Sequence, residues 1–575
     1  MVQNLQEIWQ DDFTGGVNDR LTMDKLAENQ CVSIKNLIPS KLGRSLDVRG
    51  GVAATSIGIA ASRDDVLGTF GKKLTNGVEV TIVAYISGAI GHKVLSLEVV
   101  YMNGSVLSKT QIDCTAVTLN SSREFATSLE AVWFCDWESD RFFFSDDFSG
   151  LYTVKLNPAT LGVSAVASKV MNKNGVSNTV GGTEKQLVAA PAGRHLLQHK
   201  GRLWLASGST VYFCGTDDTQ TNQARWENWL PYNGVDPAQT NIDDGNSMIM
   251  MPFGKKVTAL ASTYNGLMVF KENSISMWSY PDGAAPWEVG QGAAIEQLAF
   301  SVGCVDSSCM GAKGDAILFL GRNTTGDLGL YTLSGSEVAQ MNADIPQRLA
   351  KASASYVLKG FCLGDFFYVV TDVGIALAYS LIHDSWFDIE SPVVDCPSVS
   401  GDVARFVGDG GYMYEYPSGH TDGAAPVRFD IVTAELRPKG DYGTFHSRQL
   451  FFEIGSVNPV SVSYSIVYNG VRVTHRAKNV YNSSLNYGDN VPYGVKYDLL
   501  ESTFDNDTSA VKYGDGTKYG AKVAVYGGTV GMYKMMKTAL NARAQTAMIE
   551  IRGEATTVAF VNKVGWGYRG RTGKT

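Results

Sequence analysis

The apolar positions of this chain fall into short runs of three to six residues, paired across turns of Gly, Asn, Asp or Ser. Six such pairs follow one another. "RFFFSDDFSGLYTV" pairs Phe142–Phe144 with Leu151–Val154, and "GRLWLASGSTVYF" pairs Leu203–Leu205 with Val211–Phe213. "NGLMVFKENSISMWSY" pairs Leu267–Phe270 with Ile275–Trp278, and "DAILFLGRNTTGDLGLYTL" pairs Ile317–Leu320 with Leu330–Leu333. "DFFYVVTDVGIALAYSL" pairs Phe366–Val370 with Ala376–Leu381, and "ARFVGDGGYMYEY" pairs Arg405–Val407 with Tyr412–Tyr416. Runs of this length around such turns predict β-hairpins. The second strand carries an aromatic each time: Tyr152, Tyr212, Trp278, Tyr331, Tyr379 and Tyr414, at intervals of 60, 66, 53, 48 and 35 residues. Recurrence every ~40–50 residues is the signature of propeller blades. The uneven intervals call for insertions between blades, and the polar stretch 216–247, poor in strand pattern, is the leading candidate for an inserted tip or gate.

A single hairpin cannot bury both of its faces. Sheets stacked around an axis bury them against one another, with the aromatics filling the wedges between sheets. The pattern therefore predicts an all-β chain with a propeller over 53–424, six blades being favoured. The strands "VEVTIVAYI" and "VLSLEVVYM" within 65–112 either complete the first blade or add a seventh. Closing the circle calls for an N-terminal strand in the last blade. From 425 to 575 the texture changes to long alternating strands, predicting a separate antiparallel β domain. It contains a local repeat, "YGDNVPYG" and "YGDGTKYG", spaced by 26 residues, which presents Tyr487, Tyr493, Tyr513 and Tyr519 beside glycines as a candidate subunit contact. "KMMKTALNARAQTAM" (534–548) has helical composition but runs straight into a strand-like segment. Residues 1–52 read as an arm that packs on another element or another chain, with "LAENQCVSIKNL" either one or two helical turns or extended.

Composition narrows the function. Gly is 61 of 575 residues and charged residues are 18%, against the usual ~25%, as suits a turn-rich β protein. The net charge of −8 disfavours tight nucleic-acid binding, which needs a basic footprint. It does not exclude DNA passing along a wall that repels it. The "GYRGRTGKT" end is locally basic, and reads as a solvated tail. Eight scattered cysteines include no CxxC, and read as small buried hydrophobes in a reducing compartment. The N-terminus has no basic and apolar signal pattern, and the longest nearly apolar run (80–91) is too short to span a bilayer, so the expectation is a soluble chain with no membrane insertion of its own.

No catalytic motif is present: no GxSxG, HExxH, P-loop or GxGxxG opening a helix. The seven histidines show no ligand spacing. His195 and His199 are four apart but flank a strand, so neither a metal nor a cofactor is expected. The carboxylates Asp136, Glu138, Asp140, Asp146 and Asp147 cluster in sequence and receive a separate test, since glycoside hydrolysis needs two carboxylates converging from different elements. "SDDFSGLY" departs from the sialidase Asp-box at its glycine spacing and final residues, and solvated turn carboxylates are the expected reading.

"FTGGVNDRLTMDKLAENQCVSIKNLIPSKLGRSLDVRGG" resembles the opening of tailed-phage (podovirus) tail proteins of the hub or nozzle type. There a "GG-N" turn is followed by an "ENQ-x4-KNL" segment and a Gly-Arg-rich strand. "HKGRLWLASGSTVYFCGTDD", "NGLMVFKENSISMW" and "VGCVDSSCMGAKGDAILFLG" are similar to their successive propeller segments. The matching positions are Gly15, Gly16, Asn18, Glu28, Asn29, Gln30, Asn36, Arg202, Trp204, Gly266, Phe270, Lys271, Gly303 and Gly314, within residues 10–420. The resemblance implies a non-enzymatic virion protein, assembled in the host bacterial cytoplasm as a hexameric ring below the portal and adaptor. Such a ring surrounds the DNA exit channel and helps to retain and deliver the genome, with fibres or a needle as further partners. An acidic channel wall would keep the passing duplex from sticking. Adaptor and subunit docking fall on 1–52 together with 425–575, through Gly15, Gly16, Asn18, Asn29, Gln30 and Asn36 and the four repeat tyrosines. On this view, removal of residues 1–40 leaves a folded monomer that cannot assemble. The alternative is a propeller that binds receptors or degrades glycans.

Overall fold

The computed structural model describes residues 6–571 apart from 41–43, 61, 88–93, 104–105, 116, 118–130, 147–149, 162–164, 173–178, 181–182, 185–187, 216–224, 228, 230–246, 250–254, 282–292, 438–443, 457–459, 469–470, 475–477, 481–531 and 545. Four N-terminal strands come first: β1 (Gln6–Gln10), β2 (Cys31–Lys35), β3 (Leu37–Pro39) and β4 (Leu46–Val48). β5 (Ala53–Gly58) then enters the propeller.

Blade one is β6 (Val66–Lys73), β7 (Glu79–Ser87), β8 (Val94–Asn103) and β9 (Val106–Ile112). Blade two is β10 (Trp133–Trp137), β11 (Arg141–Ser145), β12 (Leu151–Lys155) and β13 (Ser168–Lys169). Four two-residue strands follow it: β14 (Met171–Asn172), β15 (Thr179–Val180), β16 (Thr183–Glu184) and β17 (Val188–Ala189). Blade three is β18 (Arg194–His199), β19 (Arg202–Ser207), β20 (Thr210–Phe213) and β21 (Ser247–Ile249). Blade four is β22 (Val257–Ser262), β23 (Leu267–Lys271), β24 (Ile275–Ser279) and β25 (Ala294–Ala299). Blade five is β26 (Val302–Cys304), β27 (Met310–Lys313), β28 (Ala316–Asn323), β29 (Leu328–Ser334) and β30 (Glu337–Gln340), followed by the helix α1 (Pro346–Ser355). Blade six is β31 (Lys359–Leu363), β32 (Phe366–Thr371), β33 (Gly374–Ser380) and β34 (Ser385–Asp388). Blade seven is β35 (Val394–Ser400), β36 (Val403–Gly408) and β37 (Tyr412–Tyr416), completed by β5, which pairs antiparallel with β37.

The six hairpins read in the sequence are the middle strands of blades two to seven. The favoured count of six is corrected to seven among the described residues: β7 and β8 form a hairpin of their own with Tyr85 and Tyr101, and so make a full blade rather than completing a neighbour. The N-terminal strand closes the last blade as the circle requires.

Six apolar cores fill the wedges, and one strand commonly feeds two of them. In β11, Phe142 and Phe144 face blade one while Phe143 faces blade three. In β19, Leu203 and Leu205 face blade two while Trp204 and Ala206 face blade four. Alternation in direction with no alternation in polarity marks a strand buried on both faces. Val407 and Met413 of blade seven pack with Val83, Tyr85 and Val100 of blade one, so the wheel is closed by side chains as well as by β5. Of the six aromatics, Tyr152, Trp278, Tyr331 and Tyr379 are buried, while Tyr212 and Tyr414 are half-buried.

Beyond the wheel stand β38 (Thr421–Asp422), β39 (Ala425–Thr433), β40 (Thr444–Ser456), β41 (Val460–Tyr468), β42 (Val471–Thr474), β43 (Lys478–Val480), β44 (Met532–Ala544), β45 (Ala547–Ala555) and β46 (Ala559–Arg571). They form two sheets that share a core including Leu450, Phe452, Ile551, Val564 and Trp566. One sheet runs β3-β4-β46-β40-β44, with β1 also on β46. The other continues the sheet of blade six outward, β34-β2-β39-β45-β41-β42. The segment 534–544, helical by composition, is strand: β44 pairs with β40 along its length, and tertiary pairing overrides a weak local preference.

Residues 1–52 thus pack on other elements of the same chain. β1 and β4 pair with β46, and β2 lies between β34 and β39. The segment 31–35 is extended rather than helical. Phe13, Val17, Ile34 and Leu37 are fully or almost fully buried in the core shared by propeller and β domain. Loss of residues 1–40 is accordingly expected to disturb the β domain as well as assembly.

Candidate functional site

The N-terminal glycines and amides sit at the junction of wheel and β domain. Gly16 has φ +64, and a Cβ there would stand 2.4 Å from the Trp386 carbonyl oxygen, so the turn demands glycine. A Cβ on Gly15 would meet Asn29 Oδ1 at 2.7 Å. Asn18 Oδ1 accepts from the Arg20 and Leu21 amides at 2.9 and 3.2 Å, while its Nδ2 donates to Gln30 Oε1 at 3.2 Å. Gln30 Nε2 donates in turn to Asp344 Oδ2 at 2.9 Å, and Asn29 Nδ2 reaches Thr14 Oγ1 at 3.5 Å.

Asn36, at φ +57, donates to the Arg428 carbonyl at 2.6 Å and accepts from the Glu390 amide at 2.7 Å. Its Oδ1 also accepts from Arg49 Nε at 2.8 Å. Arg49 is fully buried and grips Asp422 through both guanidinium nitrogens, at 2.9 and 2.6 Å. It donates further to the Gly50 and Glu390 carbonyls, at 2.8 and 2.5 Å. One guanidinium thus joins the N-terminal segment, the exit of blade six and the exit of blade seven. Arg348 on α1 makes a second clasp, to Asp19 at 3.2 Å and Asp388 at 2.9 Å. These amides serve the chain's own junction. Tyr487, Tyr493, Tyr513 and Tyr519 lie outside the described residues, as does most of 216–247, from which Trp226 and Trp229 pack back between blades two and three.

The inner strands β6, β10, β18, β22, β27, β31 and β35, one from each blade, line an axial cavity of ≈ 1160 Å³. β-Bulges in β6, β18, β22 and β35 re-aim residues at the inner rim. Its wall carries Arg63, Arg194, Arg322 and Lys359 against Asp64, Asp306, Asp372 and Asp395, four charges of each sign. An acidic wall is not what surrounds this axis.

Two clusters mark the cavity. Lys359 Nζ donates to Asp395 Oδ1 at 2.7 Å and lies 3.3 Å from Cys396 Sγ, tying blade six to blade seven. Burial opposes the Lys359 ammonium, but Cys396 and Asp395 outweigh it and raise its pKa, while burial pushes the Cys396 thiol up. His195, at φ +54, bonds Ser307 Oγ through Nδ1 at 2.8 Å and stands edge-on to Trp133. Burial holds its imidazole down to about 4, against a weaker opposing pull from Asp306.

The sign of that shift sets a pH dependence. Above the unfolded value of about 6.5 the ring is neutral in both states. As pH falls from 6.5 to 4 the unfolded chain takes up a proton that the folded one refuses, and about 3 kcal/mol of stability is lost. Urea unfolding at pH 7 and pH 4.5 is expected to show that loss in the wild type and a smaller one in His195→Asn, whose side chain tolerates positive φ. Equal losses in the two proteins would contradict it.

The carboxylates do not converge on a cleft. Asp136 pairs with Lys72 of blade one, and Asp140 accepts from the Thr75 amide and hydroxyl, both at 2.7 Å. Glu138 lies in the β10–β11 turn, the buried Asp146 lies beyond the opposite end of β11, and Asp147 lies outside the described residues. In the cavity, Asp306 Oδ1 accepts from the Ser308 amide at 2.9 Å and Asp372 Oδ1 from the Val357 amide at 3.1 Å. Among the described residues no three His, Cys, Asp or Glu side chains gather as a metal set. Sequence reasoning missed the Arg49–Asp422 pair and the Lys359 cluster. Their partners come from distant segments, 373 residues apart for the first, and no local pattern announces them.

No protein-family model matches the chain, and no curated protein matches it. It is similar to solved structures at low identity. The β-propeller domain of the Trilobed protease from Pyrococcus furiosus is 10% identical over 60% of this chain and 90% of that one, with a TM-score of 0.31. PorZ, a bacterial surface component of the type-IX secretion system of Porphyromonas gingivalis, is 13% identical over 69% of this chain and 52% of that one, at 0.34. The α-L-arabinanase of Penicillium chrysogenum is 7% identical over 64% of this chain and 98% of that one, at 0.27. These scores carry no functional weight, and the chain is an all-β propeller protein on the strength of its own strand pairing.

Proposed function

We propose that the chain is a non-enzymatic structural subunit of a tailed-phage tail, of the hub or nozzle type. Six copies form a ring below the portal and adaptor, and the ring surrounds the channel by which the genome leaves. The observation that carries this reading is where the motif-bearing residues lie. Gly16, Asn18, Gln30 and Asn36, within the segment that resembles tail hub proteins, join wheel to β domain. The segment with the resemblance is thus the one that fixes the shape of the subunit, and a ring needs subunits of fixed shape.

The balanced axial wall and the engaged carboxylates favour this reading over receptor binding or glycan cleavage. The test is the mass of the purified chain with and without its adaptor. A ring is expected at about 370 kDa, six times the 62.1 kDa chain. A monomer under both conditions that cleaves or retains host-envelope glycans would overturn the proposal.

A further inference from the structure

We propose that Lys359 and Cys396 form a modification site, at which peroxide joins the inner strands of blades six and seven through a covalent S–N bond. Such a bond depends only on the wheel and not on the tail reading. Lys359 opens β31, Cys396 lies in β35, and both line the axial cavity. Lys359 Nζ lies 3.3 Å from Cys396 Sγ and donates to Asp395 Oδ1 at 2.7 Å. Cys114, Cys362 and Cys396 are the half-buried cysteines, and among the described residues Cys396 is the one with an amine at its sulfur.

The backbone is bent where this contact is made. β35 is bulged between Asp395 and Ser398, and Cys396 sits at φ +52, a conformation that costs a residue with a Cβ. The Cys396 amide donates to Asp395 Oδ1 at 2.6 Å, and Thr69 Oγ1 of blade one donates to the Cys396 carbonyl at 2.7 Å. One carboxylate oxygen thus holds both the amine and the backbone that carries the thiol. The cavity opens the pair to small solutes, and a peroxide molecule is little larger than water.

Hydrogen peroxide is the oxidant, and the steps balance. The Cys396 sulfur attacks peroxide and the O–O bond breaks, giving a sulfenic acid and one water, with two electrons passing from sulfur to oxygen. Asp395 then takes a proton from the Lys359 ammonium, and the freed amine attacks the sulfenic sulfur. The S–O bond breaks as the S–N bond forms, hydroxide leaves as a second water with the proton that Asp395 holds, and the nitrogen releases its extra proton to solvent. Burial keeps Cys396 in its thiol form, which makes the first step slow. Thiols reduce such a bond, so it stays open in a reducing compartment and closes when the chain meets peroxide outside one.

The test is prolonged treatment of the folded full-length chain with hydrogen peroxide, then alkylation in denaturant, tryptic digestion without reductant, and mass spectrometry. The expected product joins the peptides of Lys359 and Cys396 and is lighter than their sum by two hydrogens. Trypsin no longer cuts after Lys359, and dithiothreitol releases the bridge. Treatment in urea is expected to lower its yield by about tenfold or more, because the contact is then left to chance. Lys359→Arg keeps a cation beside Asp395 without a nucleophilic amine, and is expected to leave Cys396 as a sulfenic acid that dimedone traps. The wild-type result decides the matter even if that variant fails to fold. Cys396 recovered from the wild type as a free thiol, or as sulfinic or sulfonic acid with Lys359 unmodified, would overturn the proposal. A bridge formed equally well in urea would overturn it too.

Discussion

A chain lacking residues 1–40 is expected to lose its β domain rather than its assembly alone. The deletion removes β1, which borders β46, and β2, which bridges blade six to β39. It also removes Phe13, Val17, Ile34 and Leu37, each at most 1% exposed. At about 1.5–3 kcal/mol for each buried side chain, the loss is about 6–12 kcal/mol, against about 5–15 kcal/mol for the whole stability of a domain. The expected product is insoluble, or soluble with the propeller folded and residues 425–571 open to protease. Limited proteolysis with mass spectrometry distinguishes these outcomes from an intact chain. A truncated protein with the wild-type digestion pattern would return residues 1–40 to the status of a separable arm.

Arg49→Met is expected to destabilise the chain by about 3–5 kcal/mol, because it leaves Asp422 without its cation in a desolvated site. Arg49→Lys should recover only part of this, since an ammonium cannot grip both carboxylate oxygens in parallel or reach Asn36 and the Glu390 carbonyl as well. Asp422→Asn should fall near Arg49→Met, and the double change Arg49→Met with Asp422→Leu should cost less than either single change. Denaturant midpoints of the four proteins measure this directly. Single-variant costs within about 0.5 kcal/mol of zero would mean that the clasp is incidental.

Much of the wheel was legible because burial on both faces leaves a plain trace. "RFFFS", "RLWLA" and "LMVFK" are apolar without alternation, and each feeds cores on two sides. Blade one was harder to count: it lies outside the series of marked aromatics, and its hairpin, β7–β8, follows the long arm. The β domain was legible as texture but not as topology. Nothing in "CVSIK" says that it will lie between blade six and β39, because pairing partners are chosen by the whole fold. The same holds for β44, whose Lys, Met and Ala suit a helix until β40 offers it a full-length partner. Arg49 sits in "DVRGG" with no local hint of Asp422. Gly15, Gly16, Asn18, Asn29, Gln30 and Asn36 were singled out through the resemblance to tail hub proteins as docking residues, and within the chain they stand at the junction of wheel and β domain.

The most direct measurement is an electron cryo-microscopy reconstruction of the chain bound to its adaptor. The expected map has six subunits around a pore wide enough for duplex DNA, with seven-bladed wheels set off that axis. A map of isolated subunits, or one in which the central passage runs through the axis of a single wheel, would contradict it.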